Sequence, residues 1–313
     1  MTDWLTGRVA SFGTRVGFKV GSGAARRFPE TVFRFSDQLA AAGFCLFRGF
    51  RTRSTRNIQT AFGTSLDPSA AKALAQRSLR NFFRAFVEAA RAVDAPDDEL
   101  RRIPLVGREH LDAALAKGKG VLVLSAHLGN FLLIGSRLTV EGYSTAVLIN
   151  QPRDGQFADL MDRYRLRVRQ RTIHARPRRE ALRELNELLR QNGAAVMIAD
   201  EFRKGEGVPV SLFGLTVKAR RGPVTLALRT GAAIVPACMI RQADDSLKVI
   251  IEPELELIRD GRGAESIRAN TIIITQWLER TVRRHPDQWN WMNIRWSEPN
   301  PDAVNEMRTS NID

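Results

Sequence analysis

The chain has 313 residues, of which 43% are hydrophobic, so it is long and apolar enough to bury a sizeable core and is not a mostly disordered protein. Its formal net charge of +14 predicts an anionic partner, unless the charge reflects only a genomic bias toward arginine. The sequence carries no zinc-finger spacing and no RNA-recognition signature, so nucleic acid is not the expected partner. Every uncharged apolar run is shorter than about 18 residues, so we predict neither a secretory signal nor a membrane-spanning helix.

Residues 1–95 predict helices and contain no convincing strand. The segment 28–50 interleaves phenylalanine and leucine with arginine, a composition typical of a segment that lies at a membrane interface. The alternative is a helix that packs its phenylalanines on the rest of the protein. A second helix is predicted over residues 70–93, where apolar residues recur at helical spacing. We therefore expect a helical, membrane-facing segment over 1–95 that forms one structural unit with residues 96–313.

From residue 104 onward, buried strands alternate with helices. The predicted strands are 121–125, 145–149, 194–198, 233–240 and 247–251, and the predicted helices are 108–117, 132–140, 157–170, 178–191, 224–229 and 265–283. A basic, glycine-containing loop of about 20 residues is expected between the strand 194–198 and the Gly222-Pro223 helix start. This alternation predicts an α/β fold with a largely parallel central sheet flanked by helices, preceded by the helical N-terminal segment.

His127 stands directly after the first of these strands, in the sequence Ser125-Ala126-His127-Leu128-Gly129-Asn130. A parallel strand delivers such a residue to the carboxyl edge of the sheet, where open α/β folds place their sites. Imidazole is also the side chain best suited to act as a base near neutral pH. On these residues alone, a structural role explains His127 as well as a catalytic one.

Four blocks of sequence, taken in order, resemble a known family. They are residues 118–131 around His127, Phe213-Gly214, the stretch 222–236 that begins with Gly222-Pro223, and the closing Pro286-Asp-Gln-Trp-Asn-Trp291 with Arg295-Trp296. Together they resemble the lipid A biosynthesis (late) acyltransferases of the lysophospholipid acyltransferase superfamily. The resemblance covers about residues 51–296 and favours a catalytic His127.

The resemblance implies transfer of a fatty acyl chain from a thioester, carried by acyl carrier protein or coenzyme A, to a hydroxyl of a membrane glycolipid or lysolipid. His127 would take the hydroxyl proton, and backbone N–H groups around Gly129 and Asn130 would stabilise the oxyanion. The protein would lie peripherally on the anionic cytoplasmic face of a bacterial inner membrane. The sequence contains no metal-binding or nucleotide-binding motif, so no cofactor is expected.

The chain departs from the family at residue 132, where Leu132 stands in place of the acidic residue five positions after the histidine. Asp200 and Glu201 follow the strand 194–198 and are expected at the same sheet edge as His127, so either can supply the missing carboxylate. We favour Glu201, because the family usually has an amide at that position. The alternative is a non-catalytic lipid-binding homologue that has lost the histidine–carboxylate pair.

Basic residues supply the candidate substrate contacts. Gln151 replaces an arginine of the family motif, and Arg153 is the nearby candidate to provide its charge. The basic loop that leads to Gly222-Pro223 contributes Lys218, Arg220 and Arg221, with Arg203-Lys204 at its start. Guanidinium groups and helix N-termini both favour phosphate, so this loop predicts a site for a lipid head group or a phosphopantetheine arm. A solvated run of charge is the alternative.

Overall fold

The computed structural model describes residues 23–93, 96–150, 162, 165–202, 207–260, 263–292, 294 and 296. The helices are α1 (Pro29–Leu46), α2 (Arg48–Phe62), α3 (Pro68–Ala92), α4 (Pro96–Arg101), α5 (Arg108–Leu115), α6 (Ile134–Val140), α7 (Arg178–Arg190), α8 (Gly222–Thr230) and α9 (Ala264–Arg284). The strands are β1 (Leu105–Val106), β2 (Val121–Ser125), β3 (Thr145–Ile149), β4 (Thr172–His174), β5 (Ala194–Ile198), β6 (Val208–Leu212), β7 (Leu215–Ala219), β8 (Ala233–Arg241) and β9 (Leu247–Ile251).

Seven strands form the central sheet in the order β1-β9-β8-β2-β5-β3-β4. All neighbouring pairs are parallel except β8 and β9, which are antiparallel and follow one another along the chain. Strand β2 lies at the centre and all five of its residues are buried, as expected for a parallel strand with both faces covered by helices. The predicted α/β class is therefore confirmed, and each of the five predicted strands is present.

The expected loop of about 20 residues before Gly222 is instead largely a β-hairpin. Strands β6 and β7 pair antiparallel from Val208↔Ala219 to Leu212↔Leu215, and Phe213 and Gly214 both adopt positive φ at the turn between them. Alternating burial along β6 indicates one face packed on the core and one toward solvent. The loop prediction was wrong because the many polar and glycine residues in this stretch made its alternation of apolar and polar positions hard to recognise.

The N-terminal helices pack on the α/β unit through α2, where the Asn57 amide donates to the carbonyl oxygen of Trp291 at 2.7 Å, and through α3. Helix α3 begins at Pro68 after the N-cap Asp67, whose carboxylate accepts the backbone N–H groups of Ser69 and Ala70. Further along, Ser78 donates its hydroxyl to the carbonyl oxygen of Trp289 at 2.6 Å, and Asn81 donates to that of Asp287 at 2.9 Å. These bonds tie α3 to the segment after α9.

Helix α1 packs one face on α3 and leaves apolar side chains on its other face exposed. The exposed ones on the helix are Phe35, Leu39 and Leu46, and Phe28 before it and Phe47 after it are exposed as well. Ala40 and Phe44 lie on the buried face, so the packing alternative raised from the sequence holds for only part of the segment. Within the described residues, no helix has both the length and the apolar character needed to cross a bilayer.

Candidate active site

Two parallel neighbours bring the candidate catalytic residues together. Strands β2 and β5 pair in the register Ser125↔Ile198 at their carboxyl ends, and the backbone N–H of Ala199 continues the pairing to the carbonyl oxygen of Ser125 at 2.8 Å. His127 and Asp200 each stand two residues beyond these strand ends. They therefore meet at the same sheet edge, which is where parallel α/β sheets present functional groups.

Asp200 is the carboxylate that binds His127. Its Oδ1 lies 2.8 Å from His127 Nδ1, and its Oδ2 accepts the backbone N–H of His127 at 2.9 Å. The same Oδ2 accepts the indole Nε1–H of Trp289 at 2.7 Å. Asp200 is 2% exposed. A buried carboxylate needs hydrogen-bond donors in place of water, and these contacts from His127 and Trp289 provide them.

In the pair, His127 and Asp200 each favour the charged form of the other. Burial raises the pKa of Asp200, but the His127 charge and the hydrogen bonds from His127 and Trp289 outweigh burial and hold that pKa below its ordinary value. Burial lowers the pKa of His127, whereas the charge and hydrogen bond of Asp200, together with the charge of Glu201, bring it above its ordinary value. With Nδ1–H held by the carboxylate, Nε2 remains as the basic nitrogen.

The loop after His127 is fixed by backbone contacts, and these contradict the expected oxyanion site. The N–H of Gly129 donates to the carbonyl oxygen of Gln288, and that of Asn130 donates to the carbonyl oxygen of Met239, both at 2.9 Å. Both donors are already used, so the assignment of an oxyanion role to them was wrong. Gly129 has a φ of 60°, and a Cβ there would collide with the Met239 carbonyl, so glycine is required for this close approach.

Asn130 anchors the same loop to α3 instead. It is fully buried, and its side-chain amide donates to a Glu88 carboxylate oxygen at 2.8 Å and to the carbonyl oxygen of Ala85 at 3.3 Å. Glu88 in turn pairs with Arg241, and the side chains of this ion pair are 8% and 7% exposed. The histidine loop is thus held between α3 and β8, which limits the movement of the imidazole.

Glu201, the carboxylate we favoured from the sequence, is not the partner of His127. Its oxygens accept the amide of Asn150 at 3.1 and 3.3 Å, and it forms an ion pair with Arg220. Residues in extended backbone alternate sides, so Asp200 shares the side of His127 when the β2–β5 register is continued by two residues, and Glu201 turns away. The strand-end argument identified the right pair of acids, but the preference between them was wrong.

His127 opens onto a large groove, here called the acyl groove, with a volume of about 1560 Å³ among the described residues. Its apolar lining includes Phe131, Leu132, Val147, Leu148, Ala181, Leu182, Leu185, Met197, Pro223, Leu226 and Ile267. Leu132 is half-buried and packs on the apolar cluster beneath the sheet. The residue that replaces the expected acid therefore contributes apolar wall beside His127.

Arginines from several elements line the same groove. They are Arg165, Arg176, Arg178, Arg220, Arg221 and Arg229. Arg220 and Arg221 were predicted as substrate contacts, whereas Lys218 lies on β7 and is not part of the lining. Arg153 and Arg203-Lys204 lie outside the described residues. The sequence analysis missed Arg165 and Arg229 as groove residues, and no sequence motif singles them out.

The closing block of sequence also contributes to the site. Trp289 is 1% and Trp291 0% exposed, and their rings meet edge to face with centroids 4.7 Å apart. Trp289 supports Asp200 through its indole N–H, and Asn290 donates its backbone N–H to the His127 carbonyl at 3.0 Å. The sequence analysis missed this contact between Trp289 and the carboxylate.

The fold and the site define a class of protein: an α/β enzyme scaffold with a histidine–aspartate pair that faces an amphipathic groove. The family model of the bacterial lipid A biosynthesis acyltransferases matches residues 18–298. The chain therefore belongs to this family. Among the described residues, no group of three or more His, Cys, Asp or Glu side chains is placed to hold a metal ion.

Curated relatives carry names of the same kind. The phosphatidylinositol mannoside acyltransferase of Mycolicibacterium smegmatis is 24% identical over 303 residues, which cover 93% of this chain and 95% of that protein. The lipid A biosynthesis palmitoleoyltransferase of Escherichia coli is 28% identical over 247 residues, which cover 77% and 76%. For the phosphatidylinositol mannoside acyltransferase of Mycobacterium tuberculosis, the match is 27% identical over 196 residues and spans 61% of this chain and 58% of that protein.

Proposed function

We propose that this protein transfers a fatty acyl chain from a thioester to a hydroxyl group of a membrane glycolipid. The observation that carries the proposal is the contact of 2.8 Å between His127 Nδ1 and Asp200 Oδ1 at the acyl groove. Family membership and the names of the relatives support the same reaction. A second reading, a non-catalytic lipid-binding homologue, predicts that no carboxylate reaches His127, and Asp200 argues against it.

The reaction is a direct transfer. His127 Nε2 takes the proton of the acceptor hydroxyl while the oxygen attacks the thioester carbonyl. The tetrahedral intermediate then collapses, its carbon–sulfur bond breaks, and the leaving thiolate takes the proton back from the imidazolium. Asp200 holds the Nδ1–H tautomer throughout and stabilises the imidazolium. Cys238 is buried and burial raises the pKa of its thiol to about 12, so it is a poor nucleophile and no acyl-enzyme is invoked.

The acyl groove suits both substrates. Its apolar wall fits a fatty chain, and its arginines favour phosphate, which occurs in phosphorylated glycolipids and in the phosphopantetheine arm of acyl carrier protein or coenzyme A. A lysolipid acceptor fits the same chemistry. An acidic carrier protein as donor agrees with the net charge of +14.

The outer face of α1 suits peripheral attachment to the cytoplasmic face of an inner membrane. Phe35 and Leu46 are exposed there, at 58% and 78%, and Phe47 directly after the helix is 68% exposed. Arginines are interleaved with them in the sequence. Exposed aromatic and leucine side chains with basic neighbours are the composition of an interfacial helix that binds anionic lipids. These exposed residues support a membrane-facing role for α1 within the segment 1–95.

The test is an acyl-transfer assay with purified protein, a membrane glycolipid extract and radiolabelled palmitoyl thioesters of acyl carrier protein and of coenzyme A. We expect labelled glycolipid from at least one donor, and His127→Ala should reduce the rate to the uncatalysed level while thermal unfolding remains cooperative. Mass spectrometry of the product identifies the acceptor. A folded His127→Ala variant that keeps more than a few per cent of the wild-type rate would refute the proposed base.

A further inference from the structure

Glu201 connects three strand ends at the mouth of the acyl groove. It follows β5, its partner Asn150 follows β3, and its partner Arg220 follows β7. The Asn150 amide donates to both carboxylate oxygens, and the Arg220 guanidinium pairs with one of them. The side chains of Glu201 and Arg220 are each 34% exposed, so the cluster lies at the boundary between the groove and solvent.

We infer that Glu201 is a positioning residue for the reaction proposed above. It bridges Asn150 and Arg220 at the groove mouth, and it places a second negative charge near His127. The inference rests on the proposed function. Asp200 already provides the hydrogen bond that fixes the imidazole, so Glu201 acts through charge and through the shape of the groove mouth. Its effect passes through His127 and Arg220, not through contact with the reacting atoms.

The charge of Glu201 is unusual in its surroundings. Among the described residues that line the groove, Glu201 is the single carboxylate, and it shares the lining with the arginines at positions 165, 176, 178, 220, 221 and 229. Arg165 is paired with Asp162, which also lies 3.4 Å from His174 Nε2. Asp200 is the other charge next to the imidazole. Glu201→Gln therefore removes the one negative charge that the described lining residues contribute to the groove.

The two members of the ion pair act on His127 in opposite directions. The charge of Glu201 favours the imidazolium and contributes to the raised pKa of His127, and the Arg220 guanidinium is paired with the same carboxylate. Glu201→Gln should lower the pKa of His127, and Arg220→Gln should raise it. Because the cluster is partly exposed to water, we expect each shift to be small but measurable.

The experiment measures kcat/KM against pH for both variants, for the double variant and for Glu256→Gln as an exposed control outside the groove. The acidic limb of the profile reports the loss of a proton from the free-enzyme base. We expect this limb to move to lower pH in Glu201→Gln, to higher pH in Arg220→Gln, and to return close to the wild-type position in the double variant. The control should leave it in place.

A second readout does not depend on turnover. The imidazole resonances of His127, assigned by comparison with His127→Ala, should titrate with the same opposite shifts in the two variants. Glu201→Ala, which also loses the contact with Asn150, should raise KM more than Glu201→Gln does. If neither the acidic limb of the pH profile nor the titration of the His127 resonances moves in either single variant, the inference is overturned and the proposed function stands. An active, folded His127→Ala would instead defeat the proposed function.

Discussion

Replacing Asp200 by asparagine changes one atom group at the centre of the site and keeps its volume. In the native protein, Oδ2 accepts two N–H groups, from the His127 backbone and from Trp289, at 2.9 and 2.7 Å. An asparagine satisfies both donors only if its oxygen takes the Oδ2 position. Its NH₂ group then faces His127 Nδ1, which must become an acceptor. The ring is driven to the Nε2–H tautomer, which has no lone pair for the substrate proton.

The expected loss follows from this change of tautomer. In catalytic triads, loss of the orienting carboxylate with the geometry kept costs a factor of about 10⁴ in kcat. At 1.36 kcal/mol for each tenfold change, this corresponds to about 5 kcal/mol of transition-state stabilisation. We therefore expect Asp200→Asn to reduce kcat by about 10³- to 10⁴-fold, with a much smaller effect on KM because no substrate contact is removed.

The same variant has a defined effect on stability. The pKa of Asp200 is lowered from its ordinary value of 3.8, so its ionised form stabilises the fold above pH 3.8. This stabilisation is lost as the pH falls through the folded-state pKa. The pKa of His127 is raised from its ordinary value of 6.5, so its imidazolium form stabilises the fold below pH 6.5. This stabilisation is lost as the pH rises through the folded-state pKa. The difference in unfolding free energy between wild type and Asp200→Asn should therefore be largest between pH 3.8 and 6.5.

The assay is steady-state acyl transfer at several pH values, with denaturant unfolding in parallel. Asp98→Asn, an exposed carboxyl on α4, is the matched control and should retain wild-type rates. A folded Asp200→Asn variant with more than a tenth of the wild-type kcat would refute the tautomer argument. A loss in Glu201→Gln as large as that in Asp200→Asn would show that the wrong acid has been assigned to His127.

Three further predictions concern other parts of the structure. Trp289→Phe removes the indole donor to Asp200 and should reduce kcat about tenfold or more, with a folded protein by circular dichroism, since a hydrogen bond to a charged group contributes about 1.5–3 kcal/mol. Leu132→Glu, which restores the family's acid, should not increase the rate in the acyl-transfer assay, because Asp200 already serves the histidine; a faster variant would contradict this. Phe35→Asp with Phe47→Asp should weaken co-sedimentation with anionic vesicles, and the wild type should be partly released at high salt; unchanged binding would count against α1 as the membrane-facing helix.

Much of the secondary structure is encoded locally. Strands 121–125, 145–149, 194–198 and 247–251 were predicted with the bounds that the structure shows, because short, mostly apolar runs between glycine or polar residues have few other stable arrangements. The short strands β1 and β4 and the β6–β7 hairpin were missed. Strands β1 and β4 have only two and three residues, which is too short for an alternating pattern to be recognised. The hairpin combines polar residues, glycine and proline, which are also typical of loops.

The sequence by itself determined the class of fold, the position of His127 at a sheet edge and the two acids able to reach it. The tertiary structure decided between those acids, since Asp200 and Glu201 are adjacent and only the β2–β5 register selects the side of the strand that faces the imidazole. It also brought Trp289 to Asp200 across 89 positions and used the N–H groups of Gly129 and Asn130 in loop packing. Such contacts depend on the geometry of distant segments, which no local pattern of residue types specifies.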